Sequence, residues 1–473
     1  MKVLFATSEA GPFIRTGGLG DVAGALPPAL NKEGVEVAVV LPLYQNIPEK
    51  YRSIMEFIGS VYVPLGWRRQ YAGLFTLTIG NIRYFFIDNE YYFKRNELYG
   101  HYDDGERFAF FSRAILEIMP LMSFYPDVIH VNDWQTALLP VMLDCFYRQI
   151  RGYENIKTVL TIHNIEFQGR MDKFVISDVF GLPLRHAPLV EYQGDANMLK
   201  GGIECSNAVT TVSRTYAEEI MHPFFAYGLE DILSKRRYKI HGILNGIDTD
   251  LYNPSTDKYL FANYSSKAMA KRKECKEGLQ RLLNLPVADK PIISMVTRLT
   301  SQKGIDLVMN VIEEILYKDI QMVVLGTGDW KYENQLRELQ SRFPNKLAAV
   351  ISFSQDIASK IYSGCDMFLM PSKYEPCGLS QLMAMRYGNI PIVRETGGLK
   401  DTVIPYNPVE GTGTGFTFKS YNAHDMLDAV NRALAEYNNK PGWKKLQKNA
   451  MTADYSWTQS AKEYINLYKE LIK

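Results

Sequence analysis

Short apolar runs alternate with amphipathic stretches along the first half of the chain. Continuous apolar runs favour buried strands, and apolar residues that recur every three or four positions favour helices. The pattern predicts strands at 3–6, 35–41, 128–131, 158–162 and 208–212, a hairpin at 75–80 and 83–88, and helices at 22–30 and 108–119. Such alternation is typical of βαβ units that share a parallel sheet.

A second alternating series begins near Lys290. It predicts strands at 292–297, 320–325, 347–353, 367–370 and 390–393, with helices at 305–316, 332–343, 357–364 and 379–387. A polar, lysine-rich stretch at 253–277 separates the two series, and the turn-rich segment 245–248 precedes it. We predict an α/β protein with two doubly wound, Rossmann-like domains, at 1–244 and 245–456, whose ligand binds at the carboxyl ends of the strands.

Composition narrows the class of protein. Of 473 residues, 46% are hydrophobic and 22% charged, as in ordinary globular proteins. A net charge of +1 argues against a dedicated nucleic-acid binder. No apolar run is long enough for a membrane span, and the N-terminus lacks a secretory pattern. Five cysteines without metal-ligand spacing fit reduced thiols, so we expect a cytoplasmic protein without a membrane partner.

Glycines stand between the first predicted strand and the first helix, in Arg-Thr-Gly-Gly-Leu-Gly-Asp-Val at 15–22. Glycines in this position let backbone N–H groups approach an anion at a helix N-terminus. The alternative is a turn needed only for packing. Thr-Gly-Gly-Leu recurs at 396–399 after another strand, which indicates either two anion-facing loops or similar turn chemistry.

Two cations follow the predicted strand 292–297. Arg298 and Lys303 stand just before a helix. A forked guanidinium, a point charge and a helix dipole together form a clamp for a diphosphate. The alternative is a solvated pair of surface charges.

Glu375 lies in Pro-Ser-Lys-Tyr-Glu-Pro-Cys-Gly-Leu at 371–379, between a buried strand and a helix. Its carboxylate can accept hydrogen bonds from sugar hydroxyls, and the amides of Gly378, Leu379 and Ser380 can meet phosphate oxygens. The alternative is that Glu375 only stabilises the helix terminus. Cys377 is interpreted as a small buried packing residue.

His163 and Asp133 each follow a buried strand in the first half, and the alternative for His163 is that it only makes a structural hydrogen bond. Trp134 beside Asp133 either stacks on a sugar ring or packs in the core. Asp248-Thr249-Asp250 has the spacing of metal-binding aspartates, but aspartate is common in turns, and Arg298 with Lys303 can neutralise a diphosphate. We therefore predict no metal.

In order along the chain, these motifs resemble the bacterial glycogen synthase and starch synthase family. They are Thr-Gly-Gly-Leu at 16–19, His-x-x-Asp-Trp at 130–134, Thr-Ile-His-Asn at 161–164, Asn-Gly-Ile-Asp at 245–248, Arg-Leu-x-x-Gln-Lys-Gly at 298–304, Pro-Ser-x-x-Glu-Pro-Cys-Gly-Leu at 371–379 and Thr-Gly-Gly-Leu at 396–399. The resemblance implies a GT-B fold, with a deep cleft between its two domains and a terminal helix at 457–473 that returns to the first domain. It implies transfer of glucose from ADP-glucose to the non-reducing end of an α-1,4-glucan, with retention and without a cofactor.

The resemblance also implies roles for single residues. Catalysis falls to Glu375, His163, Arg298 and Lys303; donor binding to Arg15, Gly18, Phe353, Gly378, Leu379 and Ser380; and the sugar or acceptor side to Asp21, Asp133 and Trp134. Phe353 stands where the family usually has a tyrosine against the adenine ring. Arg15 replaces a usual lysine, and Asn132 a frequent histidine.

Two alternatives and one mechanistic choice stay open. The chain could be a non-catalytic nucleotide-sugar or glucan-binding protein, which could lose Glu375, Lys303 or Arg298 without penalty, whereas all three are present. It could also use UDP-glucose or another acceptor, which a nucleotide-sugar panel distinguishes. Retention favours a front-face substitution, because no second carboxylate is clearly paired with Glu375; double displacement is the other route.

Overall fold

The computed structural model describes all 473 residues and divides the chain into two compact units. The first unit contains Met1–Asn245 and Trp457–Lys473, and the second contains Gly246–Ser456. Asn245, which the sequence analysis assigns to the second domain, therefore belongs to the first unit. The second unit is an insertion in the first, because the chain leaves the first unit once and returns to it.

The first unit is built on twelve strands and twelve helices. Its strands are β1 Lys2–Ala6, β2 Glu36–Pro42, β3 Glu56–Leu65, β4 Arg68–Ile79, β5 Ile82–Asp88, β6 Val128–Asn132, β7 Lys157–Ile162, β8 Arg170–Asp172, β9 Glu191–Tyr192, β10 Asp195–Asn197, β11 Ala208–Thr211 and β12 Ile240–Gly242. Its helices are α1 Gly18–Lys32, α2 Glu49–Arg52, α3 Glu90–Phe93, α4 Asp104–Met122, α5 Asp133–Thr136, α6 Leu138–Met142, α7 Val175–Asp178, α8 Met198–Cys205, α9 Arg214–Glu219, α10 Pro223–Ala226, α11 Glu230–Lys235 and, at the end of the chain, α20 Trp457–Ile472.

Nine of these strands form one sheet in the order β12-β11-β7-β6-β1-β2-β5-β4-β3. The seven strands from β12 to β5 pair in parallel, and β4 runs antiparallel to both β5 and β3. The predicted hairpin is thus confirmed as β4–β5, while β3 was missed. Val3, Leu4 and Phe5 of the central strand are fully buried, as the continuous apolar run predicts.

Helix α20 packs on α1 and reaches the sheet through its tyrosines. The Tyr468 hydroxyl lies 2.6 Å from Nδ1 of His130 in β6, whose Nε2 lies 2.5 Å from the Thr161 hydroxyl. Burial lowers the pKa of His130 to about 3, so the imidazole is neutral here. The last helix of the chain is therefore part of the core of the first unit.

The second unit has six strands and eight helices. Its strands are β13 Ile292–Val296, β14 Gln321–Leu325, β15 Leu347–Val350, β16 Met367–Met370, β17 Ile390–Arg394 and β18 Phe416–Phe418. Its helices are α12 Arg272–Leu282, α13 Ile305–Leu316, α14 Trp330–Arg342, α15 Gln355–Gly364, α16 Ser380–Arg386, α17 Gly397–Thr402, α18 Ala423–Asn438 and α19 Lys440–Thr452. The strands form one parallel sheet in the order β15-β14-β13-β16-β17-β18.

Two predictions for the second unit are wrong. The strand predicted at 347–353 ends at Val350, which leaves Phe353 in a loop. The polar stretch at 253–277 does not separate two halves, because it lies wholly in the second unit and its end forms the start of α12. The charged residues of this stretch gave no sign that its end is buried. Lys276 is buried, with its Nζ 2.8 Å from Asp366 Oδ2.

None of the helices combines the length and the apolar character needed to cross a lipid bilayer.

Candidate functional site

In the second unit, the loops after β13 and β16 meet because these strands are neighbours in the sheet. Gly304 has a φ of +76°, and a Cβ at this position would collide with the carbonyl of Pro371. A glycine is therefore required both by the backbone conformation and by the close approach of the two loops. This approach brings Lys303 onto Glu375, with 2.6 Å between Nζ and Oε2.

Glu375 is buried, and its two carboxylate oxygens differ in their surroundings. Oε2 accepts hydrogen bonds from Lys303 and from the Ser372 hydroxyl at 3.0 Å. Oε1 accepts none from the protein. The contacts of Oε2 hold the carboxylate in place, and Oε1 is left to accept a hydrogen bond from a ligand hydroxyl. Such a charge-assisted hydrogen bond is stronger than one between neutral groups.

The segment that follows Glu375 changes from buried to accessible. Pro376 and Cys377 are buried, whereas Gly378, Leu379 and Ser380 are partly exposed at the start of α16. Gly378 has a φ of +72°, and its carbonyl accepts a hydrogen bond from Gln381 Nε2 at 2.9 Å. No protein group accepts a hydrogen bond from the amides of 378–380, so these amides can donate hydrogen bonds to a bound anion.

The loop at 396–399 supports this segment from behind. Gly398 N–H donates to the carbonyl of Glu375 at 3.1 Å. A Cβ on Gly397 would collide with that same carbonyl, and a Cβ on Gly398 with the backbone of Cys377. These glycines fix the position of Glu375 by close backbone packing.

Two other predicted residues of the second unit are open to solvent. Arg298 is exposed, and its guanidinium is 3.5 Å from Gln302 Oε1. The Phe353 ring is 91% exposed and has no aromatic or cationic neighbour. The structure brings neither side chain into contact with the pair formed by Lys303 and Glu375.

The first unit carries the other glycine loop, between β1 and α1. The buried Glu9 carboxylate holds it, because Oε2 accepts from the Thr16 amide at 2.5 Å and from the Thr16 hydroxyl at 3.0 Å. Burial is the main cause that raises the pKa of Glu9, and hydrogen bonds from Thr16 oppose it. Sequence reasoning missed Glu9, whose only signal was an acidic residue just after a buried strand.

Gly17 and Gly18 are exposed, and neither is required by the fold. A Cβ on either residue would meet nothing within 4 Å, and neither has a positive φ. Arg15 beside them is exposed and pairs with Asp21 at 2.8 Å. Arg15, which is predicted to bind the donor, is thus paired with Asp21, which is predicted to serve the sugar or acceptor side.

A second cluster of the first unit forms where β6 and β7 end side by side. Asp133 has a φ of +54°, and its Oδ1 accepts from the His163 amide at 2.7 Å and from the Asn164 amide at 3.4 Å. Burial raises the pKa of Asp133 to about 7. The side chain of Asp133 fixes the backbone at 163–164, which includes a residue that the sequence analysis assigns to catalysis.

The side chain of His163 is held in one tautomer. Asn132 Nδ2 donates to the Ala6 carbonyl at 3.0 Å, so its Oδ1 faces His163 Nε2 at 2.9 Å. Burial lowers the pKa of His163 to about 3. The neutral ring therefore donates from Nε2 and leaves Nδ1 as an acceptor. Asn132, which by the family resemblance replaces a frequent histidine, provides this contact.

Trp134 is partly buried, and one edge of it packs on the Phe108 ring at 5.1 Å. Gly169 approaches the indole so closely that a Cβ would collide with it. Asp248 accepts from the amides of Asp250 at 2.9 Å and Leu251 at 3.0 Å, which is the hydrogen bonding of a turn.

Comparison with known proteins then decides the family. A model of the starch synthase catalytic domain matches residues 2–235, and a model of glycosyl transferases group 1 matches residues 283–451. The chain is 50% identical over its full length to the glycogen synthase of Alkaliphilus metalliredigens and 51% identical to that of Clostridium acetobutylicum, covering all of each. The chain belongs to the glycogen and starch synthase family of glycosyltransferases.

Solved structures agree with this family. The catalytic domain of starch synthase IV from Arabidopsis thaliana, bound to ADP and acarbose, is 32% identical with a TM-score of 0.91, and the match covers 100% of this chain and 99% of that one. Sucrose-phosphate synthase from Thermosynechococcus elongatus, at 18% identity and a TM-score of 0.60 over 99% and 98% of the two chains, shows the shared fold. This family member is thus a glycosyltransferase with the GT-B fold, as the sequence analysis predicts.

Proposed function

We propose that this glycosyltransferase transfers glucose from ADP-glucose to the non-reducing end of an α-1,4-glucan, with retention of configuration. Its glycogen synthase relatives and the ADP-bound starch synthase support this substrate pair. The observation that carries the proposal is the contact of Lys303 with Glu375 beside the accessible amides of 378–380. Such a site can hold a sugar and the phosphates attached to it.

Each group has a chemical task in this proposal. Glu375 Oε1 accepts hydrogen bonds from glucose hydroxyls, while Lys303 and Arg298 stabilise the negative charge that grows on the departing ADP. The amides of 378–380 add fixed dipoles directed at the same charge. Preorganised groups of this kind stabilise the transition state without reorganising during the reaction.

Retention is proposed to follow a front-face route. The bond from C1 of glucose to the diphosphate oxygen breaks, the bond from C1 to the acceptor O4 forms on the same face, and the acceptor proton passes to the diphosphate. Lys303 is the charged partner of Glu375 in the protein, and no second carboxylate contacts Glu375. This favours the front-face route over double displacement, which needs a carboxylate nucleophile.

Residues of the first unit are also proposed to contact the substrates. Arg15 and Gly18 bind donor phosphate, and the backbone at His163, held by Asp133, meets the sugar. Asp21, Asp133 and Trp134 serve the sugar or acceptor side, and in the second unit Phe353 stacks on the adenine. We further propose that the enzyme works in the cytoplasm, on glycogen.

The deciding experiment is incorporation of labelled glucose into glycogen from a panel of nucleotide sugars. We expect ADP-glucose to be used much faster than UDP-glucose, and EDTA to leave the rate unchanged, because Lys303 and Arg298 neutralise the leaving group. Equal or faster use of UDP-glucose would overturn the donor assignment. Loss of activity in EDTA, restored by manganese, would make Asp248 and Asp250 candidate ligands. No incorporation from any donor would favour a non-catalytic binding protein.

A further inference from the structure

A basic groove lies in the second unit between the start of α12 and helix α19. We define it by Lys267, Lys273, Lys276, Lys440, Lys444 and Lys448, which line a cavity of about 1150 Å³. Its floor includes Asp366, which directly precedes β16, whereas Glu375 follows the carboxyl end of that strand. The groove and the candidate site are therefore at opposite ends of β16.

The charge of the basic groove is concentrated well beyond that of the whole chain. Eight cationic side chains line it against two acidic ones, while the full chain has a net charge of +1. Asp366, one of the two acids, is already paired with both Arg272 and Lys276. Helix α19 supplies four lysines and has no acidic residue. The groove thus has a large excess of positive charge.

Several of these cations lack a protein partner. Lys267, Lys444 and Lys448 are exposed, and their ammonium groups make no ion pair or hydrogen bond. Lys273 is different, since its Nζ forms a long ion pair of 4.0 Å with Glu277, a carboxylate that also contacts Arg281 at 3.0 Å. Like charges gathered without counterions repel one another and destabilise the fold, so a bound anion would relieve this repulsion.

Buried aromatic rings and one buried lysine also line the groove. Lys276 is buried, with Nζ 3.1 Å from the Tyr437 hydroxyl. Lys440 Nζ lies 3.7 Å from the centre of the Tyr437 ring, and the Trp443 ring packs on Tyr437 at 5.3 Å. Trp443 Nε1 is buried without a hydrogen-bond partner. Buried aromatic rings beneath exposed cations are suited to a compact organic anion.

We propose that the basic groove binds a small phosphorylated molecule, with its phosphate between Lys273, Lys444 and Lys448. Lysine is a point charge that binds phosphate without a fixed geometry. The cavity is close to the size of small-molecule sites, roughly 300–1,000 Å³. A polymeric anion would require an extended track of charge rather than a concave site. Binding here does not depend on the proposed transfer reaction.

The experiment is calorimetric titration of the full chain with inorganic pyrophosphate and with glucose 1-phosphate, in saturating ADP to occupy the donor site. Heparin is the polymeric probe. The test variant is Lys444→Glu with Lys448→Glu. Its matched control is Lys462→Glu with Lys469→Glu, two exposed lysines of α20 that give the same change in net charge.

We expect both small probes to bind the wild type and to raise its Tm. The groove variant should bind them roughly tenfold or more weakly, and the control within about twofold of wild type. Equal weakening in both variants would overturn the proposal, because only net charge would then matter. Binding of heparin without the small probes would also overturn it and favour a polymeric partner. Because the variants are compared with each other, a protein that fails to transfer glucose still gives a clear answer.

Discussion

The sequence Thr-Gly-Gly-Leu occurs twice, and the two copies use their glycines differently. At 396–399 both glycines press against the backbone of the segment that carries Glu375. At 16–19 both glycines have open space around them and ordinary backbone angles. The second copy therefore needs glycine for packing. The first copy has no such need, and a ligand that approaches the backbone supplies a reason for it.

The supports of the two copies differ as well. The first copy is held by a single side chain, through the hydrogen bonds that Thr16 donates to Glu9. The second copy is held by backbone contacts with the segment it supports. The comparison teaches that identical short motifs serve a fold in one place and leave room for chemistry in another. Substitutions can test this division.

The largest effect is expected for Glu375→Gln, at the residue whose carbonyl the second copy holds. The amide keeps the shape but loses the charge that we propose faces the sugar, so turnover should fall by roughly two to four orders of magnitude. Steady-state kinetics with ADP-glucose and glycogen, on protein whose circular dichroism matches wild type, measures it. Near-normal turnover would mean that Glu375 serves only the helix terminus.

A matched pair of alanine substitutions tests the glycines directly. Gly398→Ala should lower the free energy of unfolding by about 1–3 kcal/mol, because the new methyl group collides with Cys377. Gly18→Ala should leave it unchanged or raise it by up to about 1 kcal/mol, since the site is open and helical.

Denaturant unfolding of both variants checks these values, and donor KM completes the comparison. Gly18→Ala should raise the KM for ADP-glucose while the protein stays stable. If Gly18→Ala proved as destabilising as Gly398→Ala, the two copies would have the same structural role.

Arg15 tests whether the open loop binds phosphate. Arg15→Ala should lower kcat/KM roughly ten- to a hundredfold, about 1.5–3 kcal/mol for one charge-assisted contact. Arg15→Lys should keep most activity with a modest change in KM, because the charge survives. Kinetics at varied ADP-glucose and saturating glycogen decide the matter. Wild-type behaviour of the alanine variant would make Arg15 a solvated charge, paired only with Asp21.

The smallest effect is expected for the carboxylate of Glu9, which holds the Thr-Gly-Gly-Leu copy at 16–19. Because burial raises the pKa of Glu9, the folded state binds its proton more readily than the unfolded state. Its contribution therefore makes the free energy of unfolding fall as pH rises from about 4.5 to the raised pKa. Glu9→Gln should lack this part of the slope. Parallel unfolding curves of both proteins across that window would contradict it.

The spacing of apolar residues predicts where the helices and strands lie better than it predicts which distant residues hold them in place. The bounds of α13 and β16 are as predicted, since apolar runs there end at turn residues. Helix α12 was missed because its buried positions carry Arg272 and Lys276, and only a distant partner, Asp366, makes their burial tolerable. Charges paired across the fold leave no local signal.

For the candidate site, too, local motifs predict the position better than the contacts. Glycine and charge motifs after strands indicate where ligands bind, because the carboxyl ends of parallel strands share one edge. That Lys303 contacts Glu375 depends on β13 and β16 being neighbours, which strand order alone decides. Glu9 belongs to none of the recognised motifs. Its role depends on the loop that brings the Thr16 amide into hydrogen-bond contact with its carboxylate.

The return of the chain to its first unit has a consequence for biosynthesis. Residues 246–456 are continuous and can fold as they leave the ribosome, whereas the first unit must wait for α20. Until Tyr468 arrives, His130 lacks the hydroxyl beside its ring and the face of α1 that α20 covers stays open. We expect the nascent first unit to be vulnerable to proteases throughout synthesis of the second, and to become resistant only when the last helix docks.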